Sequence, residues 1–185
     1  GFHEAAIGTS DETKGLVAGF KPVQADLEKT YAAVSKAELS LILPRVEVRF
    51  SEYAVEKVLR DLAGAAHGKD NNLITGPAFG ALFKEGFQAA VSPRGAAQAK
   101  AAKEVLDRLT VQPAAATLKD TFGPPLSAAI TDLTSKLTTR KTSWETLGLA
   151  RGAESAAREV WVSAYDANAG AIRAMFPRDR KRQDL

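Results

Sequence analysis

The 185 residues suffice for one domain with its own core, and an apolar share of 45% beside a charged share of 25% excludes a globally disordered chain. Twenty-five Lys and Arg stand against 22 Asp and Glu, interspersed along the chain, so the net charge of +3 does not by itself nominate nucleic acid as a partner. Cysteine is absent, which removes disulfide frameworks, thiolate metal sites and cysteine nucleophiles, and no apolar run approaches the roughly 20 residues of a membrane-spanning helix.

The composition leaves the compartment open, with the cytoplasm favoured over a secreted or periplasmic location. The first residues, Gly1-Phe2-His3, fit a tag remnant, trimming or signal-peptide removal equally well. Among the apolar residues alanine and leucine dominate and aromatics are only 7% of the chain, which favours close-packed helices over a sheet sandwich.

Residues 1–10 read as a loose entry segment, and Ser10-Asp11-Glu12 as a helix start with a capping hydroxyl followed by acids. The first long helix, over 20–43, carries Phe20, Val23, Leu27, Tyr31, Val34 and Leu41 on one face, with Pro22 expected in its first turn. Val46, Val48 and Phe50 alternate with charges as a half-buried strand would, but no second strand candidate of comparable quality exists elsewhere to pair with them. Helix over 46–66 is preferred: Val48, Val55, Leu59 and Leu62 form one stripe, with Glu56/Arg60 and Lys57/Asp61 as i,i+4 pairs outside.

His67 to Asn72 reads as a polar loop. The 77–109 segment opens at Gly76-Pro77 and is interrupted at Ser92-Pro93, after which the apolar stripe thins to Ala97, Ala101, Val105 and Leu109. Val111 to Pro125, with three prolines, a glycine and a run of alanines, is the linker candidate. Beyond it, Leu126, Ile130, Leu133, Leu137, Trp144 and Leu147 hold a near-heptad spacing over 125–149, broken at Arg140-Lys141. Threonines and serines on its exposed side mean that tertiary packing must stabilise this helix.

A last helix over 151–176 carries Ala157, Trp161, Ala164, Asn168, Ile172 and Met175, and Gly148 and Gly152 suit a tight turn joining it to its predecessor as a long hairpin. The chain therefore reads as all-α: a mostly antiparallel bundle of about five helices in a single domain, 1–185, ending in a basic tail over 177–185.

The chemistry-bearing residues are sparse. Only His3 and His67 are present and neither stands in a Glu-x-x-His pair, so the bundle carboxylate-metal motif is missing and the sequence calls for no cofactor or metal. Histidine-based triads and glycine-rich phosphate loops lack their residues, and no catalytic motif emerges. Glu52 and Glu56, and Glu154 and Arg158, read as solvated faces with i,i+4 ion pairs.

Three features remain. Asn168 falls on an apolar stripe, where a buried amide either specifies helix register or lines a pocket; Trp161 and Trp144 occupy core-like positions beside it. Arg178, Arg180, Lys181 and Arg182 form a basic tail able to meet phosphates or anionic lipid. The leading expectation is a non-enzymatic helical interaction or scaffold protein that pairs with a protein partner or self-associates through an alanine-rich face. The alternatives are a nucleic-acid or lipid-surface binder using the tail, and a ligand-binding bundle or enzyme with a pocket near Trp161 and Asn168.

Overall fold

A computed structural model of the chain describes residues 11–73 and 76–183, with the backbone alone at 181 and 182. Ser10, His3 and the entry segment 1–10 lie outside the described residues. The described elements are all helical: α1 (Lys14–Ser40), α2 (Ile42–Lys69), α3 (Pro77–Leu82), α4 (Phe87–Val91), α5 (Ala96–Val111), a 3-10 helix (Pro113–Leu118), α6 (Lys119–Met175) and α7 (Arg180–Gln183). The all-α class expected from the composition is the class observed.

The contacts gather into two units, residues 1–40 with 144–185, and residues 41–143. The larger unit holds the main core. Val48, Val55, Leu59, Leu62 and Ala66 of α2 follow the helical period and are buried against Phe79 and Leu82 of α3, Ala102, Val105 and Leu109 of α5, and Leu126 and Leu133 of α6. The alternation at Val46, Val48 and Phe50 is therefore incidental: Val48 is buried, while its two neighbours in the pattern are exposed. Pro44 is the third residue of α2, where its missing N–H costs nothing. The expected pairs form outside, Arg60 to Glu56 at 2.5 Å and Lys57 to Asp61 at 3.6 Å.

The α2–α3 connection is held by a buried carboxylate. Asp70 accepts the backbone N–H groups of Ala78 (3.1 Å) and Phe79 (2.8 Å), supplying from outside the helix the cap that α3 lacks at Gly76. The supposed loop thus begins only after Lys69, and Asn71 and Asn72 turn the chain with φ of 55° and 63°, a conformation asparagine tolerates. Gly76 lies so close that a Cβ there would stand 2.2 Å from the Asp70 Cβ.

Five further sequence expectations require correction. The helix opening at Pro77 does not run to Val91: it stops at Leu82, and Gly86, at φ 84°, redirects the chain into α4 while Phe79, Phe83 and Phe87 keep their rings in succession at 5.0 and 5.6 Å. The stripe of α5 keeps Val105 and Leu109 buried as expected but takes Gln98 and Ala102 in place of Ala97 and Ala101 in its first half, where the Gln98 amide bonds the Glu52 carbonyl. The linker is mostly helical, since Pro113 sits at the start of a 3-10 turn and Pro124 and Pro125 lie on the exposed side of the early turns of α6.

The fourth correction is the largest: no hairpin interrupts α6, which is a single helix through Gly148 and Gly152. A helix-ending turn of that kind needs a residue at positive φ, and among the described residues only Asn71, Asn72, Gly86 and Gly95 have one. The threonines of α6 adapt by returning their hydroxyls to the preceding turn, as Thr131 does to Ser127 and Thr134 to Ile130. Pro22 likewise lies inside α1 rather than in its first turn, on the exposed side, where solvent can serve the carbonyl it leaves unpaired.

The smaller unit pairs α1 with the part of α6 from Trp144 onward. Arg151 meets Glu38 at 2.8 Å and Trp161 meets Gln24 at 2.6 Å, so the two helices run antiparallel. Phe20, Val34 and Ala37 are buried on one, Leu147, Ala157 and Ile172 on the other.

These assignments predict opposite signs for two glycine-to-alanine changes. Gly148→Ala combined with Gly152→Ala adds Cβ atoms that meet nothing within 4 Å and should stabilise by about 0.5–1 kcal/mol per site. Gly76→Ala, forced against Asp70, should destabilise by about 1–3 kcal/mol. Urea titrations of the full chain measure both; a destabilising 148/152 double variant would restore the hairpin.

Candidate functional site

The residues nominated by sequence are placed as follows. Trp161 is half-buried, its Nε1 donating to Gln24 Oε1 at 2.6 Å, with its ring edge-on to Phe20 at 5.6 Å and stacked on Tyr165 at 5.4 Å. Asn168 is half-buried two turns further on the same face, and its Nδ2 has no hydrogen-bond partner among the described residues. Trp144 is not in a core position: it is 45% exposed, and its Cα lies about 25 Å from that of Trp161 along one helix. The two tryptophans therefore share no cleft. Arg178 and Arg180 are exposed, while the side chains of Lys181 and Arg182 lie outside the described residues.

Glu154 and Arg158 form the expected ion pair. Glu52 does not behave as expected. It is only 7% exposed, and its Oε1 accepts the Gly95 N–H at 2.7 Å, while its backbone carbonyl accepts Nε2 of the fully buried Gln98 at 3.0 Å. The spacing of Glu52 and Glu56 gave no hint that the first would be drawn inward, because the partner is a backbone N–H 43 residues away.

Around Glu52 the larger unit forms a cleft of about 270 Å³ lined by Arg49, Glu52, Arg94, Gly95 and Arg140. Three segments contribute: Arg49 stands on α2 one turn before Glu52, Arg94 immediately before the start of α5, and Arg140 on α6. Arg94 is oriented by Glu56 at 3.5 Å and by the Val91 carbonyl at 3.4 Å. Arg49 and Arg140 make no ion pair among the described residues. The only sequence signal was the Arg140-Lys141 break in an apolar heptad; the convergence itself needed the tertiary structure.

A second feature lies on α6 in the smaller unit. Leu149, Ala153, Ala156, Val160, Ser163, Ala167, Gly170 and Ala174 follow one another at spacings of four and three, and every one of them is exposed. At about 100° per residue this seam runs about 140° around the helix from the face that Leu147, Ala157 and Ile172 bury.

The electrostatics beside the cleft carry a testable consequence. The Arg60 hydrogen bond and charge, with Arg94 adding to them, hold the Glu56 carboxyl below the usual carboxylate range against a smaller opposing effect of burial. A depressed folded-state pKa stabilises above the unfolded-state value, and that stabilisation fades as pH falls through the folded value. Glu56→Gln should thus be less stable than the parent at neutral pH, with the difference vanishing in acid; a gap independent of pH would contradict it. Comparison of the chain with protein-family models, with curated proteins and with solved structures found no match.

Proposed function

We propose that the chain is a non-enzymatic helical interaction protein that self-associates, a second copy docking on the exposed seam of α6 between Leu149 and Ala174. The supporting observation is the unbroken alternation of four and three residues along that seam, with Leu149 at 78% and Val160 at 57% exposure among small residues. A repeat of 3.5 residues is the pattern by which helices pack along their length. Alanine, glycine and serine let two helix axes approach to the close end of the usual 8–10 Å.

A second copy is the occupant the seam fits because it is self-complementary. A twofold axis through its midpoint sets Ala156 against Ala167, Ala153 against Gly170, Val160 against Ser163 and Leu149 against Ala174, so each larger residue meets a small one. Within the smaller unit α1 packs on the face of α6 that holds Leu147, Ala157 and Ile172, and the seam, about 140° away, is left on the far side of α6 for a further helix.

Sedimentation equilibrium on the full chain tests this. The parent should show a reversible dimer, and Ala156→Glu with Val160→Glu should weaken it at least tenfold, with unchanged helicity because both positions are exposed. A parent that stays monomeric at the highest attainable concentration, or a double variant that dimerises as well as the parent, would overturn the proposal.

A further inference from the structure

We propose that the cleft formed by Arg49, Arg94 and Arg140 around Glu52 is a binding site for a phosphate group, free or as a small monoester, in a form that still carries one proton. Three guanidinium groups share this cleft with a single carboxylate, and two of them, Arg49 and Arg140, have no ion-pair partner among the described residues. Glu52 and, through its pair with Arg94, Glu56 offset only part of this charge; the remaining positive excess raises the free energy of the fold, and an anion seated among the guanidiniums relieves that cost.

The geometry narrows the class of anion. A carboxylate is flat and is fully served by one arginine fork, whereas donors converging from α2, from the segment before α5 and from α6 suit an oxyanion with oxygens on several sides. At about 270 Å³ the cleft is smaller than most sites for drug-sized ligands, so it takes an ion or the head of a small ester.

Glu52 sets the finer selection. Its Oε1 is engaged by the Gly95 N–H at 2.7 Å, and Oε2 carries no hydrogen bond among the described residues. A carboxylate oxygen facing a bound anion repels it unless the anion donates a hydrogen bond. The phosphate monoanion, with its second pKa near 6 in esters, has an O–H to offer; sulfate at the same pH has none. The part-buried Glu52–Gly95 contact fixes this acceptor in place, and the Glu56 and Val91 contacts fix Arg94 beside it.

Calorimetric titration of the full chain at low salt and about pH 6, with inorganic phosphate, glycerol phosphate and sulfate in turn, tests the site. Saturable one-to-one binding of inorganic phosphate, of the monoester, or of both is expected, with sulfate at least about tenfold weaker, the worth of one charge-assisted hydrogen bond. Arg49→Ala with Arg140→Ala, neither being a buried position, should keep the helical spectrum and lose at least tenfold in phosphate affinity.

Glu52→Gln retains an acceptor for the Gly95 N–H and presents a donor to the ligand, so it should erase the preference for phosphate over sulfate. Absence of saturable binding by either phosphate form, equal binding by the folded double arginine variant, or equal sulfate and phosphate binding by the parent would each overturn the proposal.

Discussion

A buried carboxylate must find hydrogen-bond donors, and in this chain the requirement at Glu52 organises the larger unit. The donor is the N–H of Gly95, whose φ of 61° a residue with a side chain would rarely adopt. That contact fixes where α5 begins relative to α2, and one residue earlier it fixes Arg94 on the rim of the arginine cleft. Gln98, one turn into α5, returns its amide to the Glu52 carbonyl and so settles which face of α5 is buried. Asp70, at the other end of α2, performs the same service for α3. Two buried acids, one within α2 and one at its C-cap, thus set the registers of α5 and α3.

The helical class and most of the core were legible in the sequence because they depend on periodicity. Val48, Val55, Leu59 and Leu62 declare α2 through spacing alone, and the alternation at Val46 to Phe50 loses to it once flanking residues are counted. What was not legible depended on one atom finding another at long range. Nothing local distinguishes Glu52, which turns inward to Gly95, from Glu56, which is half-buried and pairs with the exposed Arg60 and Arg94. Glycine was ambiguous for a related reason: Gly86 and Gly95 take positive φ and break the chain, while Gly148 and Gly152 do not and are passed through by α6.

The candidate sites show the same division. Asn168 and Trp161 were found by their place on a stripe and do sit half-buried on it, Trp161 anchored to Gln24. Trp144 was assigned to the core on the same reasoning, and its exposure shows how the α6 heptad drifts once Arg140 and Lys141 interrupt it. The seam from Leu149 to Ala174 and the arginine cleft belong to different units and involve different physics, close packing of small residues in one and an excess of positive charge in the other. Self-association and phosphate binding are correspondingly independent in their tests.

Amide hydrogen exchange at Gly95, followed by NMR in the parent and in Glu52→Ala, tests the central claim most directly, because it reads the hydrogen bond on which the α2–α5 register and the cleft depend. The account predicts a Gly95 amide that is strongly protected in the parent, despite standing ahead of the first turn of α5, and that loses this protection in the variant while the buried amides of α2 keep theirs. A Gly95 amide that exchanges in the parent as freely as an exposed loop would contradict it.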